Sequence, residues 1–158
     1  MKNAHELLLA YLDSVADPDK AAALFAEDGA IELPYLTSLG IPARTEGREA
    51  IRAFLTNLGE AVPTFSFQAP DILIDTPDQV FAEYAFETVT ADGRPFSQLY
   101  AGRLVAKDGS ITLLRESLDV VRAARAMLPG GVACIPRRTD RKVAPLERQF
   151  MAEEMATG

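Results

Sequence analysis

The sequence predicts an α+β fold in which three N-terminal helices lie on one face of a curved antiparallel sheet. Residues 1–58 carry apolar side chains at helical spacing around one short strand, whereas residues 64–121 are strand-like segments joined by Asp-Gly turns. This segregation of helices from strands is typical of α+β proteins. A length of 158 residues with 48% hydrophobic content fits one compact domain, residues 1–128, followed by an extension, residues 129–158.

The three helices are indicated by their N-terminal caps and their apolar faces. Asn3 followed by Glu6 resembles a capping box, so a first helix begins there. Asp17 before a proline supplies the cap of a short second helix, which we expect to end near residue 28. The third helix is expected over residues 47–59. The apolar faces consist of Leu7, Leu8, Tyr11, Leu12 and Val15, of Ala21, Leu24 and Phe25, and of Ile51, Phe54, Leu55 and Leu58.

The second half of the chain has the pattern of a β-meander. Asp92-Gly93 and Asp108-Gly109 are hairpin turns, so three long strands follow one another in antiparallel order. A strand over Ala30–Leu33 precedes them, and segment 34–47, with two prolines and two glycines, predicts a loop that forms a lid or a pocket rim. A sheet curled around helices leaves a cone, and its mouth is the default site for a ligand.

Composition narrows the possible partners. The formal net charge of −7 disfavours binding to nucleic acid or to an anionic membrane, and the basic cluster at 137–142 is expected to be a solvated tail. Cys134 is the only cysteine, so no internal disulfide forms, and with His5 as the only histidine no zinc site is expected. We expect no cofactor, no membrane span and no signal peptide, which makes the cytoplasm the expected location.

The closing strand, residues 110–121, places Arg115 beside Glu116 in the middle of an apolar run. Neighbouring residues of a strand point to opposite faces. Alternation puts Thr112, Leu114, Glu116 and Leu118 on one face and Ile111, Leu113, Arg115, Ser117 and Asp119 on the other. Because each face holds two apolar residues, periodicity alone leaves open which face is buried.

Three segments carry a family resemblance. LFAEDGAIELP, the GREAIRAFL helix and the closing YAGRLVAKDGSITLLRESLD are similar to the nuclear transport factor 2-like superfamily, especially its SnoaL-like members. The resemblance covers residues 5–122 and implies the cystatin-like cone fold. This superfamily includes isomerases, cyclases, hydrolases, dehydratases and proteins without catalysis. The run RESLDVVRAARAMLPGGVACIPRR resembles the phenazine biosynthesis A/B-like proteins, which implies that Glu116 is a carboxylic acid in a pocket.

The resemblance to ketosteroid isomerase, another member, implies that the face of Glu116 is the inner one and that Tyr11 occupies the position of a site tyrosine. It also implies carboxylates near Leu33 and near residue 101 or 102, but neither is present. Phe54 stands near the position of a histidine in the phenazine-related proteins. These departures argue against both of those specific reactions for this chain.

Glu116 and Tyr11 are the candidate catalytic residues. Desolvation among apolar side chains would raise the pKa of Glu116, which suits a general acid or a base near neutrality. Alternatively, Glu116 pairs with a nearby arginine or simply caps a polar cavity. Tyr11 would donate to a developing oxyanion; alternatively, it is a core residue with its hydroxyl at the surface. Arg115 and Asp119 are expected to pair across a subunit interface or with neighbouring residues.

An apolar cavity suited to planar ligands is expected from the aromatic content, although each ring also fits a core role. The predicted ligand-binding residues are Tyr35, Phe54, Phe67, Tyr84, Phe86, Tyr100, Leu114 and Leu118, with Phe65 in the same aromatic set.

Three functions remain open at this point. The first is a cofactor-independent isomerase, cyclase or hydratase of a small hydrophobic carbonyl or polycyclic substrate, with Glu116 as the acid–base residue. The second is a non-catalytic protein that binds a small hydrophobic molecule, and the third is an assembly domain with a filled cone. In each case we expect a homodimer, because the face that bears Arg115 is half polar and half apolar.

The C-terminal extension contains one further helical pattern. Leu146, Phe150, Met151 and Met155 recur at helical spacing within residues 146–156. Such a short helix is unstable alone in water. We therefore expect it to pack on the domain or on a partner subunit, with a disordered tail as the alternative.

Overall fold

The computed structural model describes residues 1–137 of the chain. Its helices are α1 (Ala4–Ser14), α2 (Pro18–Ala23), α3 (Arg48–Ala61) and α4 (Val120–Met127). Its strands are β1 (Phe25–Glu32), β2 (Arg44–Glu46), β3 (Asp71–Asp75), β4 (Gln79–Val89), β5 (Pro95–Lys107) and β6 (Ser110–Leu118). Two short 3₁₀ helices span Pro34–Leu39 and Gly131–Cys134.

The six strands form one curved, open sheet in the order β2-β1-β6-β5-β4-β3. All neighbours are antiparallel except β1 and β6, which run parallel with Ile31 opposite Leu114 and Glu32 opposite Arg115. The helices α1, α2 and α3 pack on the inner face of this sheet. The predicted α+β fold class is therefore confirmed, with one parallel pair in a sheet that was expected to be antiparallel.

Local sequence accounts for the start of the first two helices. The Asn3 side chain accepts from the Glu6 backbone N–H at 2.9 Å, and the Glu6 carboxylate accepts from the Asn3 N–H at 2.9 Å, which completes the predicted capping box. Asp17 accepts from the Lys20 N–H at the start of α2. With these caps in place, α1 turns its apolar face, including Leu8 and Tyr11, into the core.

Several predicted boundaries differ from the structure. The second helix ends at Ala23 instead of near residue 28, because Phe25 already pairs with Ile111 of β6. Segment 34–47 is not a plain loop, since it contains the first 3₁₀ helix and the edge strand β2. The closing strand stops at Leu118, and Asp119 caps α4 by accepting from the Val121 and Arg122 N–H groups.

A bulge changes the predicted faces of β6. The register with β5 shifts between Val105 and Ala106, so one residue of β6 is left out of the ladder. As a result, Ile111 is fully buried with Leu114, although simple alternation assigns it to the outer face. Thr112, expected on the inner face, instead borders the outer groove beside Leu113.

The apolar core has two parts. The larger part fills the space between the sheet and α1, α2 and α3. The smaller part is built from Leu39, Ala123 and Ala124, against which Leu128 and Ile135 pack. The described portion of the C-terminal extension thus lies against the domain. Residues 138–158, with the predicted helix at 146–156, lie outside the described residues.

Candidate functional site

Glu116 lies on the inner face of β6 and is 5% exposed. Its carboxylate accepts a hydrogen bond from the Tyr84 hydroxyl, with 2.6 Å between the two oxygens. Of the two adjacent charges in the closing strand, Glu116 is therefore the one that points into the core of the domain.

Burial raises the pKa of Glu116 from its ordinary value to about 7, and the hydrogen bond from Tyr84 opposes this rise. Within the described part of the chain, no basic side chain forms an ion pair with Glu116. The alternative that Glu116 is one half of a structural ion pair thus finds no partner among residues 1–137. A carboxyl group with this pKa exchanges its proton readily near neutral pH.

Arg115 points to the opposite face, where it pairs with Glu32 on the neighbouring strand β1. Glu32 is also buried, and it binds Arg44 of β2 at 2.5 Å. The predicted pairing of Arg115 is therefore made within the chain, and Asp119 is engaged as the cap of α4. Two buried glutamates thus lie on opposite faces of one sheet, one paired with arginines and the other with a phenol.

Gly102 creates the space that lets Tyr84 reach Glu116. Gly102 lies opposite Glu116 on β5, and Tyr84 projects from β4 on the far side of β5. A Cβ atom at Gly102 would lie 2.1 Å from the Tyr84 hydroxyl oxygen, far inside van der Waals contact. This role of Gly102 was not predicted from the sequence, although a glycine inside a strand often marks a place where another group approaches the backbone closely.

The phenols of Tyr11 and Tyr100 lie close to the same carboxyl group. Burial, with the negative charge of Glu116 as the next cause, raises the pKa of both phenols well above the usual range. Tyr11 is 3% exposed, so its ring is a core residue and its hydroxyl is not at the outer surface.

Part of this polar group keeps unused hydrogen-bonding capacity. The hydroxyls of Tyr11 and Tyr100 and the second oxygen of Glu116 make no hydrogen bond among residues 1–137. Each of these three oxygen atoms can therefore still donate or accept a hydrogen bond.

Aromatic rings surround this polar group. Tyr84 and Tyr100 stack with centroids 5.7 Å apart, and Phe67 meets both rings edge to face. Phe86 and Phe65 continue the cluster. Five of the predicted aromatic residues are thus brought together beside Glu116, in an environment that favours flat or apolar groups.

The other predicted ligand-binding residues lie elsewhere or are closed off. Tyr35 is 53% exposed on the first 3₁₀ helix, and the structure does not bring it to the aromatic cluster. Leu114 is fully buried in the core. Phe54 and Leu118 are partly buried at the edge of the core, and Leu118 also contacts the smaller core.

Two open grooves lie on the outer face of the sheet. One, of about 1160 Å³, is bordered by Glu32, Arg103 and Arg115, and the other, of about 540 Å³, surrounds Leu99. Glu116 lines neither groove, since both grooves lie on the opposite face of the sheet.

Residues 1–137 contain neither a metal-binding cluster nor a membrane-spanning helix. No group of three or more His, Cys, Asp and Glu side chains between residues 1 and 137 is arranged to hold a metal ion. In the same range, no helix combines the length and the apolar character required to cross a bilayer.

The family model described as the SnoaL-like domain matches residues 9–114, and the chain belongs to this family. The matched range ends two residues before Glu116. No curated protein matches the chain.

Solved structures with the same fold include three informative examples. A proposed isomerase from Bacillus subtilis is 26% identical, with a TM-score of 0.72 over 81% of this chain and 93% of that one. The phenazine biosynthesis-related protein PhzB2 from Pseudomonas aeruginosa is 19% identical, with a TM-score of 0.66 over 90% and 92%. A protein with a ketosteroid isomerase-like fold from Catenulispora acidiphila, in complex with trimethylamine, is 18% identical, with a TM-score of 0.66 over 77% and 91%.

Proposed function

We propose that this protein binds a small, uncharged, largely hydrophobic molecule and catalyses proton transfer on it without a cofactor. The observation that carries the proposal is Glu116, a buried carboxyl group with a pKa of about 7 and no ion-pair partner in the described chain. Perturbed titration of this kind is a feature of acid–base catalysts.

The proposed chemistry uses the three oxygen atoms that make no hydrogen bond among the described residues. Ionised Glu116 removes a proton from a carbon next to a carbonyl group of the ligand. The phenols of Tyr11 and Tyr100 donate hydrogen bonds to the carbonyl oxygen as negative charge develops on it. Glu116 then returns the proton to a conjugated carbon, which produces an isomer of the ligand. In a cyclisation, the enolate carbon attacks a second carbonyl carbon of the same ligand instead, and Glu116 gives the proton to the new alkoxide.

The lining of the site supports a neutral ligand. Among the described residues, the groups next to Glu116 are aromatic rings and phenols, and the basic side chains Arg103 and Arg115 belong to the outer face. An anionic ligand would lose its hydration without gaining a cationic partner.

The position of Glu116 also explains how acid–base chemistry is compatible with the missing isomerase carboxylates. The ketosteroid isomerase resemblance implies a carboxylic acid near residue 101 or 102, and Gly102 faces Glu116 across the β5–β6 ladder. Glu116 therefore supplies a carboxyl group to the same region from the adjacent strand. Leu33, at the other expected carboxylate position, is buried and apolar.

Ligand binding without turnover is the second candidate function. One observation favours it: Leu33 is buried and apolar and provides no second carboxylate. An assembly domain without any ligand is the limiting case, in which the rings serve only as core. These alternatives predict the same fold and differ from the catalytic proposal in turnover.

Substitution of Glu116 by glutamine tests the catalytic proposal. Neutral lipophilic ketones, polyketide-like aromatics and epoxides would be incubated with the protein in D₂O, and exchange of the proton next to the carbonyl would be followed by NMR. We expect the wild type to accelerate exchange for at least one ketone, and Glu116→Gln to lower that rate about 10²-fold or more. Equal rates in the two proteins would contradict the role of Glu116.

Glu32→Gln is the matched control, because Glu32 is the other buried glutamate among residues 1–137 and lies on the opposite face of the sheet. It should retain the exchange rate at temperatures at which it stays folded. Binding of a panel compound, measured by calorimetry, with no exchange or turnover in any protein would instead establish the binding function.

We also propose that the chain forms a homodimer through the outer face of the sheet. Leu99 is 56% exposed in the middle of β5, opposite Ala85 of β4. Arg122 and Glu87 border the same groove, so a two-fold arrangement can pair each arginine with a glutamate of the other copy.

A further inference from the structure

We propose that Tyr84 and Gly102 form a positioning pair for Glu116. In this arrangement, Tyr84 crosses β5 above Gly102 and holds one carboxyl oxygen, so that the other oxygen faces the ligand. The arrangement itself is a property of the free protein. Only the statement that the second oxygen faces a ligand rests on the proposed function.

The Tyr84 side chain reaches Glu116 by crossing strand β5. Tyr84 pairs with Tyr100 on β5, and Glu116 on β6 pairs with Gly102, two residues along from Tyr100. The Tyr84 side chain therefore runs diagonally over β5 to reach a residue two strands away. Its hydroxyl donates to Oε2 of Glu116 at 2.6 Å, and both side chains are buried.

Gly102 makes this diagonal path possible, because the path requires a residue without a side chain at that position. An added Cβ would approach the Tyr84 hydroxyl oxygen to 2.1 Å, Cζ to 2.7 Å and Cε1 to 2.9 Å. These contacts involve the rigid ring and not only its tip. Alanine at position 102 would thus push the ring away from Glu116 and break the hydrogen bond.

The hydrogen bond from Tyr84 also orients the carboxyl group of Glu116. Oε2 is engaged by Tyr84, whereas Oε1 makes no hydrogen bond within residues 1–137. A hydrogen bond to a charged acceptor is among the stronger ones in proteins, so it fixes which oxygen is presented. It also favours the ionised carboxylate, which limits the effect of burial.

Tyr84→Phe tests the proposal without any substrate. The C=O stretching band of protonated Glu116, identified by its absence in Glu116→Gln, would be followed by infrared spectroscopy from pH 4 to pH 10. Loss of the Tyr84 hydroxyl should raise the pKa of Glu116 by roughly one pH unit or more, because the hydrogen bond stabilises the ionised carboxylate. An unchanged pKa would overturn the proposal.

Tyr100→Phe is the matched control, since Tyr100 stacks on Tyr84 but makes no hydrogen bond to Glu116. It should change the pKa of Glu116 by clearly less than Tyr84→Phe does. An equal change would show that the carboxyl group responds to the loss of any nearby phenol, and the specific role of Tyr84 would be lost.

Gly102→Ala tests the second half of the pair. It should raise the pKa of Glu116 about as much as Tyr84→Phe, and it should add no further rise in a Tyr84→Phe background, because both changes remove the same hydrogen bond. An additive effect, or a pKa unchanged by Gly102→Ala, would contradict the role of Gly102. If Gly102→Ala does not fold, Tyr84→Phe and Tyr100→Phe still decide the role of Tyr84.

The two proposals fail in different ways. Normal proton exchange in Glu116→Gln would refute catalysis by Glu116 while leaving the titration results intact. An unchanged pKa in Tyr84→Phe would refute the positioning role even if Glu116 proves catalytic. Should exchange activity be found, its pH profile in Tyr84→Phe should move to higher pH together with the pKa of Glu116, which a purely structural role of Tyr84 would not cause.

Discussion

The raised pKa of Glu116 links the stability of the fold to pH. A carboxyl group with a folded pKa of about 7 and an ordinary value of 4.5 binds its proton more tightly in the folded state. Its contribution to stability is fully present below pH 4.5 and is lost as pH rises through 7. The contribution of Glu116 to the unfolding free energy is therefore about 3 kcal/mol larger below pH 4.5 than above pH 7.

Glu116→Gln should remove this pH dependence. Between pH 5 and pH 8, we expect the wild type to lose about 2 to 3 kcal/mol more unfolding free energy than the variant does. Urea denaturation at several pH values, with the two proteins compared at each, measures the difference. Parallel curves for the two proteins would show that Glu116 does not titrate near neutrality.

The residues of the site differ in how far sequence could identify them. Alternation placed Arg115 and Glu116 on opposite faces, but each face held two apolar residues, so the family resemblance was needed to choose the inner one. The bond from Tyr84 was beyond prediction, because it depends on a diagonal path between β4 and β6. The glycine at 102 was a usable sign of close approach, but not of which side chain approaches.

Elements defined by local signals were predicted well. The capping box at Asn3, the cap at Asp17 and the two Asp-Gly turns all act over a few residues, and the structure contains each of them. The parallel pairing of β1 with β6 joins residues more than 80 positions apart, as in Ile31 with Leu114, and no local pattern encodes it. The change from strand to helix after Leu118 was missed because it depends on a tertiary contact.

Gln98 makes that contact, and its removal gives a prediction about the start of α4. Its side chain donates to the Asp119 carbonyl at 2.9 Å and accepts from the Asp119 N–H at 2.9 Å, while it is only 3% exposed. Gln98→Ala leaves two backbone groups without these partners and should lower the unfolding free energy by about 2–4 kcal/mol.

Chemical denaturation measures this effect, with Gln68→Ala as the control because Gln68 is exposed. The control should stay within about 0.5 kcal/mol of the wild type. A similarly small effect for Gln98→Ala would mean that α4 is held by its packing on Leu39 and not by this hydrogen-bonded link.

The molecule as a whole has a half polar, half apolar outer face, with Leu99 exposed on it, that a homodimer would cover. We expect the wild type to sediment as a dimer at micromolar concentration and Leu99→Asp to sediment as a monomer, because the new charge would be desolvated at the interface. Leu73→Asp is the control, since Leu73 is 50% exposed on β3, at the edge of the sheet. A monomeric wild type, or equal behaviour of the two variants, would argue against this interface.

The point at which the described chain ends bears on where residues 138–158 lie. Ile135 packs on the smaller core, and Pro136 lies next to Gly40, so the extension leaves the described region from a fixed point on the domain. The apolar stripe at Leu146, Phe150 and Met151 needs a surface to cover it. We therefore expect residues 138–158 to dock on the domain or on a partner subunit.

Deletion of residues 138–158, which leaves Ile135 in place, should lower the melting temperature by several degrees or shift the oligomeric state. In the full-length chain, Phe150→Ser with Met151→Ser should reproduce the effect, whereas Gln149→Ser, which lies outside the stripe, should not. Calorimetry and sedimentation measure both quantities, and hydrogen exchange reports protection within the segment. If the deletion changes neither quantity and the segment exchanges without protection, then the stripe is not covered in solution and docking is excluded.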